Sequence, residues 1–297
     1  KKKHLSSFQL IILGFAGVIL LGAIILMLPV SSAEGVMTPF NQTLFTSTSA
    51  VCVTGLAVLD TGSYWSVFGQ VVILLLIQIG GLGVVTVAVS VFMLSGRKIS
   101  LMQRSTMQNA ISAHKVGGIV RLTKFILKGT LFIEMAGALA LLPVFYHDFG
   151  RKGIWMAVFH SISAFCNAGF DILGTPTNPF PSITAYAGNP IVNVVIMFLI
   201  IAGGIGFLTW EDICINKIHF RKYHMQSKII LVTTALLIVL PAVFFFFSDF
   251  GLDREQIGLK FCIKPNGGCP LAIADFCSHF QTPPTFFQEF KVFSYFF

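Results

Sequence analysis

The sequence predicts an all-α polytopic membrane protein that is built from parallel repeats of one helical unit. Three observations predict this fold class. Of the 297 residues, 55% are hydrophobic and only 11% are charged, whereas soluble domains carry about 25% charged residues. Five apolar segments are long enough to cross a bilayer, which takes about 20 apolar residues. Two short segments of the chain also occur twice, in the same order.

The candidate spans cover residues 8–30, 66–94, 125–147, 190–209 and 229–247. The apolar core of a cleaved signal peptide is shorter, about 7–15 residues, and is followed by a small-residue cleavage site. The first span is longer than that, and no such site follows it. We therefore expect it to stay in the membrane.

Basic residues set the orientation that we expect. The net charge of +8 comes from loops between apolar spans and forms no patch typical of nucleic-acid binding, which argues against a nucleic-acid partner. Cytoplasmic loops are rich in Lys and Arg. The N-terminus and residues 95–124 and 210–228 are therefore predicted to lie in the cytoplasm. Arg151 and Lys152, on the opposite side, are too few to reverse this orientation.

The first duplicated segment covers residues 45–56 and again residues 159–170, with six of twelve residues identical. Each copy ends in a Cys-x-x-Gly loop. A glycine-rich apolar segment follows each copy, at residues 77–86 and 200–209. A span, a short helix, a glycine loop and a second span make the plan of a helix–pore loop–helix repeat. Because two spans return the chain to the side that it left, the repeats are parallel rather than inverted.

The repeats divide the chain into predicted segments. These are a first repeat (1–94), a basic connector (95–124), a second repeat (125–209), a second basic connector (210–228) and the first helix of an incomplete third repeat (229–247). In residues 248–297 the repeat pattern stops, and half of the six cysteines occur there. We expect this tail to be disordered or to come from a frameshifted reading frame.

No constellation of catalytic residues stands out, which predicts that the protein is not an enzyme. The repeat plan instead indicates ion chemistry through the main chain, because rings of backbone carbonyls can replace the hydration shell of a potassium ion. Turning several carbonyls toward one axis favours glycine. The short helix before each loop also directs about half a negative charge at it. The candidate selectivity-filter residues are Val53, Thr54 and Gly55 in the first loop and Asn167, Ala168 and Gly169 in the second.

These motifs resemble the Trk/Ktr/HKT superfamily of potassium transporters. The CVTGL loop and the IQIGGLG span carry the resemblance. It is greatest to the membrane subunit of the bacterial Ktr system, a group that includes proteins labelled subunit J of V-type sodium ATPases, and it covers residues 8–247. In that superfamily four repeats surround one pore and each filter loop keeps one glycine, which Gly55 and Gly169 match. No third and fourth pore loops are found here, so we expect that this chain alone does not close a ring of four.

The resemblance implies potassium uptake across the cell membrane, by the channel-like pore-forming subunit of a transporter that sodium stimulates. It further implies a multi-pass protein of the bacterial inner membrane, a homodimer of the full-length form and a cytosolic ring of nucleotide-binding regulatory subunits. Potassium is then the transported ion and sodium an activator, with no other cofactor. Glycine rather than serine at Gly55 favours potassium over sodium. The two basic connectors are candidate docking surfaces for the regulator, although a solvated positive-inside face explains them equally well.

One alternative for the whole chain stays open, namely a truncated, non-conducting fragment or pseudogene-type product of such a transporter. At single residues, Gly55 and Gly169 have an alternative as ordinary turn glycines, but their duplication with flanking sequence favours the filter. Six further glycines are candidates for a gating hinge, although close helix packing is favoured for them. These are Gly80, Gly81, Gly83, Gly203, Gly204 and Gly206.

Five further positions carry expectations. Cys52 and Cys166 are expected to be buried packing residues rather than reactive thiols. Glu134 lies in the middle of a span, where an ionisable residue is costly and often functional. Since no opposite charge lies within three or four residues of it, functional and structural roles are evenly balanced. For Asp60 and Glu34, solvated loop charges are favoured over a role in concentrating cations.

Overall fold

The computed structural model describes residues 7–83, 86–87, 119–217 and 219–248. Eight α-helices lie in these ranges, and the described residues contain no β-strand, which confirms the predicted all-α class. The helices are α1 (Ser7–Met27), α2 (Phe40–Val51), α3 (Val67–Leu82), α4 (Ile119–Phe149), α5 (Arg151–Phe165), α6 (Pro190–Gly204), α7 (Phe207–Asn216) and α8 (Met225–Ser248). The chain divides after Phe180 into two compact units, which hold α1–α5 and α6–α8.

Within the described residues, two helices are long and apolar enough to cross a membrane by themselves, at Leu122–Phe149 and Met225–Val243. The pair α6 and α7 is bent by 98° at its break and counts as a third span if it is taken as one. Shorter apolar helical segments lie in α1, at Ile11–Met27, and in α3, at Val67–Leu82. Residues 88–94 of the second predicted span lie outside the described residues, as do most of the first connector and the tail after residue 248.

The helix ends follow from local sequence. Ser66 caps α3 by accepting a hydrogen bond from the Gly69 N–H at 3.2 Å, as N-terminal serines do. Asn189 caps α6, and Pro190 occupies the first helical position, where its missing N–H costs nothing. These signals place the starts of both glycine-bearing helices.

Each duplicated segment forms the predicted short helix, α2 in the first repeat and α5 in the second. The same buried serine of each copy ties that helix to the first helix of its repeat. Ser47 Oγ donates to the Ile19 carbonyl at 2.7 Å, and Ser161 Oγ donates to the Glu134 carbonyl at 2.6 Å. The repeat in sequence is therefore a repeat in packing.

Adjacent glycines let α3 approach both short helices closely. A Cβ atom at Gly80 would overlap the Val51 carbonyl oxygen at the end of α2. A Cβ atom at Gly81 would lie 2.5 Å from Cys166 Sγ at the end of α5. Since small residues permit such contacts between helices in a bilayer, Gly80 and Gly81 have the packing role expected from the sequence.

We predict that G80A and G81A destabilise the protein, because each added methyl group overlaps a neighbouring helix end and overpacking costs about 1–3 kcal/mol. G129A is the matched control, since nothing lies within 4 Å of a Cβ atom at Gly129 in α4 and alanine favours a helix over glycine. Thermal unfolding in detergent measures the difference. G80A and G81A should unfold at lower temperature than the parent chain and G129A should not; equal unfolding temperatures would contradict the packing.

Candidate functional site

Both short helices end in the same capped turn. The Thr54 N–H donates to the Ser49 carbonyl at 2.9 Å, and the Val53 N–H donates to the Ala50 carbonyl at 3.3 Å. The second copy repeats this pattern, with bonds from Ala168 to Ser163 at 2.8 Å and from Asn167 to Ala164 at 3.0 Å. This is the Schellman motif, in which the residue after the helix takes a left-handed conformation. The motif turns the chain sharply out of each helix and into its loop.

Left-handed residues recur at alternate positions of both loops. Val53 and Asn167 have φ of 56° and 55°, and Gly55 and Gly169 have φ of 78° and 71°. Each loop therefore holds two positive-φ residues that are separated by one residue. A β-branched residue such as Val53 is a genuine outlier in this region, at a cost of about 1–3 kcal/mol. Strain of this kind collects at functional sites.

The two loops contact each other at their glycines. A Cβ atom at Gly55 would lie 2.7 Å from the Ala168 carbonyl oxygen and 3.3 Å from the Gly169 Cα. A Cβ atom at Gly169 would lie 3.4 Å from the Gly55 Cα. The structure thus brings together the two glycines that the sequence singled out, and any side chain at position 55 would meet the backbone of the second loop.

Equivalent serines support the two loops in different ways. In the first repeat Thr54 Oγ1 donates to Ser49 Oγ at 2.8 Å. In the second repeat Ser163, the counterpart of Ser49, donates to the Phe170 carbonyl at 2.6 Å. The hydroxyls therefore hold the loop backbone against the short helix that precedes it.

Asp60, which follows the first loop, is buried, so the expectation of a solvated charge is wrong for this residue. Its carboxylate accepts hydrogen bonds from the Ser63 N–H at 2.7 Å, the Ser63 hydroxyl at 2.6 Å and the Phe180 N–H at 3.0 Å. It lies against Gly174, the residue that the repeat aligns with it. Asp60 thus links the segment after the first loop to the segment after the second loop. Glu34 is exposed, as expected.

A second carboxyl group, that of Asp171, lies close to Asp60. The pKa of Asp171 is raised from 3.8 to about 6, and burial is the largest cause. The hydrogen bond from the Leu173 N–H lowers this pKa, and the negative charge of Asp60 raises it. The Leu173 N–H donates to Asp171 Oδ1 at 3.1 Å. The segment after the second loop therefore carries a carboxyl group with a raised pKa, which the sequence did not indicate.

The thiols differ between the repeats. Cys166 is buried as expected, but Cys52 is exposed, so the expectation is wrong for Cys52. The difference arises because Gly81 of α3 lies over Cys166, while the described residues leave the equivalent position on α2 uncovered.

The remaining candidate glycines divide into two groups. Gly83 caps the C-terminus of α3 and Gly206 caps the N-terminus of α7, with φ, ψ of 83°, 134° and 82°, 152°, so Gly206 lies at the break between α6 and α7. A positive φ of this kind favours glycine. In the second unit this break frees the Ala202 carbonyl, which accepts a hydrogen bond from Trp210 Nε1 at 2.8 Å. No described atom lies closer than 4.0 Å to a Cβ atom at Gly83 or Gly206, so the packing role expected for these two glycines stays a prediction that no described contact supports. Gly203 and Gly204 lie in the last turn of α6.

The chain matches the family model described as TrkH, cation transport protein, over residues 7–247. It is 41% identical to the potassium/sodium uptake protein NtpJ of Enterococcus hirae over 249 residues, which cover 84% of this chain and 54% of that protein. It is also 41% identical over 230 residues to the Ktr system potassium uptake protein B of Bacillus subtilis, covering 77% and 50% of the two chains. The Ktr system potassium uptake protein B of Vibrio alginolyticus is 35% identical over 246 residues, which cover 81% of this chain and 52% of that protein. The chain spans about half the length of these curated relatives.

We predict that D171N stabilises the protein at pH 8 and has little effect at pH 4. The folded carboxyl group binds its proton more tightly than the unfolded one, so its contribution to stability is full below pH 4 and is lost as the pH rises through about 6. Asparagine removes this dependence and keeps an oxygen for the Leu173 N–H. Thermal unfolding from pH 4 to 8 provides the measurement, with E34Q as an exposed control. A D171N profile parallel to that of the parent chain would refute the assignment.

Proposed function

Because the chain belongs to the TrkH family of cation transport proteins, we propose that it supplies two adjacent pore loops to the membrane pore of a potassium uptake system. The observation that carries this proposal is the contact between two loops of the same unusual backbone at Gly55 and Gly169. Potassium is proposed as the ion because the similar proteins are named for potassium uptake, one of them also for sodium.

In this proposal backbone carbonyls of the two loops replace the water molecules around the ion. The contributing residues are Val53, Thr54 and Gly55 in one loop and Asn167, Ala168 and Gly169 in the other. The positive φ at alternate residues of both loops supports a role that depends on the main chain, because L side chains rarely adopt this conformation. The C-terminal ends of α2 and α5 add partial negative charge at the start of each loop, which favours a cation.

The helix breaks at Gly83 and Gly206 are the proposed hinge positions. Their shared conformation at equivalent places of the two repeats supports this role. Gly80 and Gly81 are assigned to packing in this proposal, because a Cβ atom at either would collide with a neighbouring helix end. Gly203 and Gly204 are assigned to packing as their counterparts in the second repeat.

We further propose a multi-pass protein of the bacterial inner membrane with a cytoplasmic N-terminus and with no catalytic activity. Sodium is a proposed activator. The Ktr names of the relatives describe a system, and by analogy we propose a homodimer of the full-length form that binds a cytosolic ring of nucleotide-binding subunits. The two basic connectors, residues 95–124 and 210–228, are its proposed docking surfaces.

We predict that the two loops of this chain support growth at low potassium, in a bacterium that lacks its own potassium uptake, when a relative supplies the remaining pore loops. The 297-residue chain and a fusion of residues 1–247 with the second half of the Enterococcus hirae relative should be tested in parallel. G55D and G169D should abolish growth, because the new side chains enter the contact between the loops. Rubidium flux into liposomes checks that the effect is on transport.

G35D is the matched control, because Gly35 has a similar φ of 70° but nothing lies within 4 Å of a Cβ atom there. It should support growth like the parent sequence. If neither form supports growth or flux, or if G55D conducts normally, the proposed pore role is wrong.

A further inference from the structure

Glu134 is a buried carboxyl group in the middle of a membrane span, with 5% of its surface exposed. Such a group is costly in lipid unless it has a partner. Its partner comes from the other repeat: Gln78 Nε2 on α3 donates a hydrogen bond to Glu134 Oε1 at 2.9 Å. Among the described residues, no Lys or Arg side chain forms an ion pair with it.

The amide of Gln78 continues this contact to the second pore loop. Its Oε1 atom accepts from the Cys166 thiol at 3.8 Å, a weak hydrogen bond of the kind that thiols make. Only one orientation of the amide presents N–H to the carboxyl group and oxygen to the thiol. Cys166 ends α5 and directly precedes the left-handed Asn167. The chain of contacts therefore runs from Glu134 through Gln78 to the base of the loop.

Glu134 is also held through its backbone. Ser161 Oγ of α5 donates to the Glu134 carbonyl at 2.6 Å. The same residue thus touches the short helix through its main chain and contacts α3 through its side chain. This fixes α3, α4 and α5 relative to one another at the level of the second loop.

The first loop lacks the support that Glu134 and Gln78 give to the second loop. The alignment of the repeats places Leu20 opposite Glu134 and Ile201 opposite Gln78, and neither can form such a bond. The first loop is held instead by the hydroxyl pair of Thr54 and Ser49. The two loops are alike in backbone and different in what supports them.

We propose that Glu134 and Gln78 are positioning residues that hold the second pore loop through Cys166 and so contribute to ion selectivity. The selectivity part of this inference rests on the proposed pore function. The carboxyl group acts as a hydrogen-bond acceptor for Gln78, and a negative charge on it is not required. A glutamine at position 134 offers the same acceptor oxygen.

The positioning claim is tested without transport, by the rate at which a maleimide alkylates Cys166. The full chain is purified in detergent with its other five cysteines replaced by serine. E134A and Q78A should each raise the rate about tenfold, which corresponds to about 1.4 kcal/mol. The double variant should exceed neither single variant, because both remove the same contact. E134Q should react like the parent chain.

W155F is the matched control. It removes the hydrogen bond from Trp155 Nε1 to Gln70 Oε1 at 2.8 Å, which joins the same two helices, α3 and α5, away from Cys166. It should leave the alkylation rate unchanged. Parent-like reactivity in E134A and Q78A would overturn the inference, as would an increase in E134Q equal to that in E134A, which would assign the effect to charge.

The selectivity claim is tested by the ratio of sodium to rubidium flux in liposomes. E134A and Q78A should raise this ratio, while W155F and E134Q should not. Faster alkylation with an unchanged ratio would make the pair purely structural and overturn the selectivity part. If neither the parent chain nor its fusion with the relative carries flux, the proposed function fails, and the alkylation rates still decide the positioning claim.

Discussion

The contact between the backbones of Gly55 and Gly169 is the constraint on which the rest of the structure depends. In lipid every main-chain polar group needs a partner, so a loop that ends a helix inside the membrane is costly. The Schellman turns satisfy the N–H groups at the start of each loop. In the proposed pore the loop carbonyls are the groups that engage a dehydrated cation. A Cβ atom at Gly55 would lie 2.7 Å from the Ala168 carbonyl oxygen, so glycine permits the loops to lie this close.

Small and polar residues hold this arrangement in place. Gly80 and Gly81 let one helix pack against the ends of both short helices, and Ser47 and Ser161 fasten each short helix to its own repeat. Such contacts replace the hydrophobic driving force, which is absent between helices in lipid. The left-handed Val53 is held by the hydrogen bond from its N–H to the Ala50 carbonyl and lies against Gly80 of α3. Strained residues persist where the surrounding structure fixes them in this way.

The duplication made the short helices, the two loops and the equivalence of Gly55 and Gly169 predictable, because a repeat in sequence produces a repeat in local structure. The partner of Glu134 was not predictable, since Gln78 lies 56 residues away in another repeat. Two glutamines in the apolar α3, Gln70 and Gln78, were the available signal for polar contacts across that face. The burial of Asp60 and the exposure of Cys52 depend on how the repeats pack, which helical periodicity does not report.

The position of a bound permeant ion tests the central claim most directly. Rubidium resembles potassium and is located in a crystal by its anomalous scattering. We expect a rubidium peak coordinated by backbone oxygens of residues 53–55 and 167–169. A map in which those oxygens face lipid or solvent and no ion lies between the loops would contradict the account.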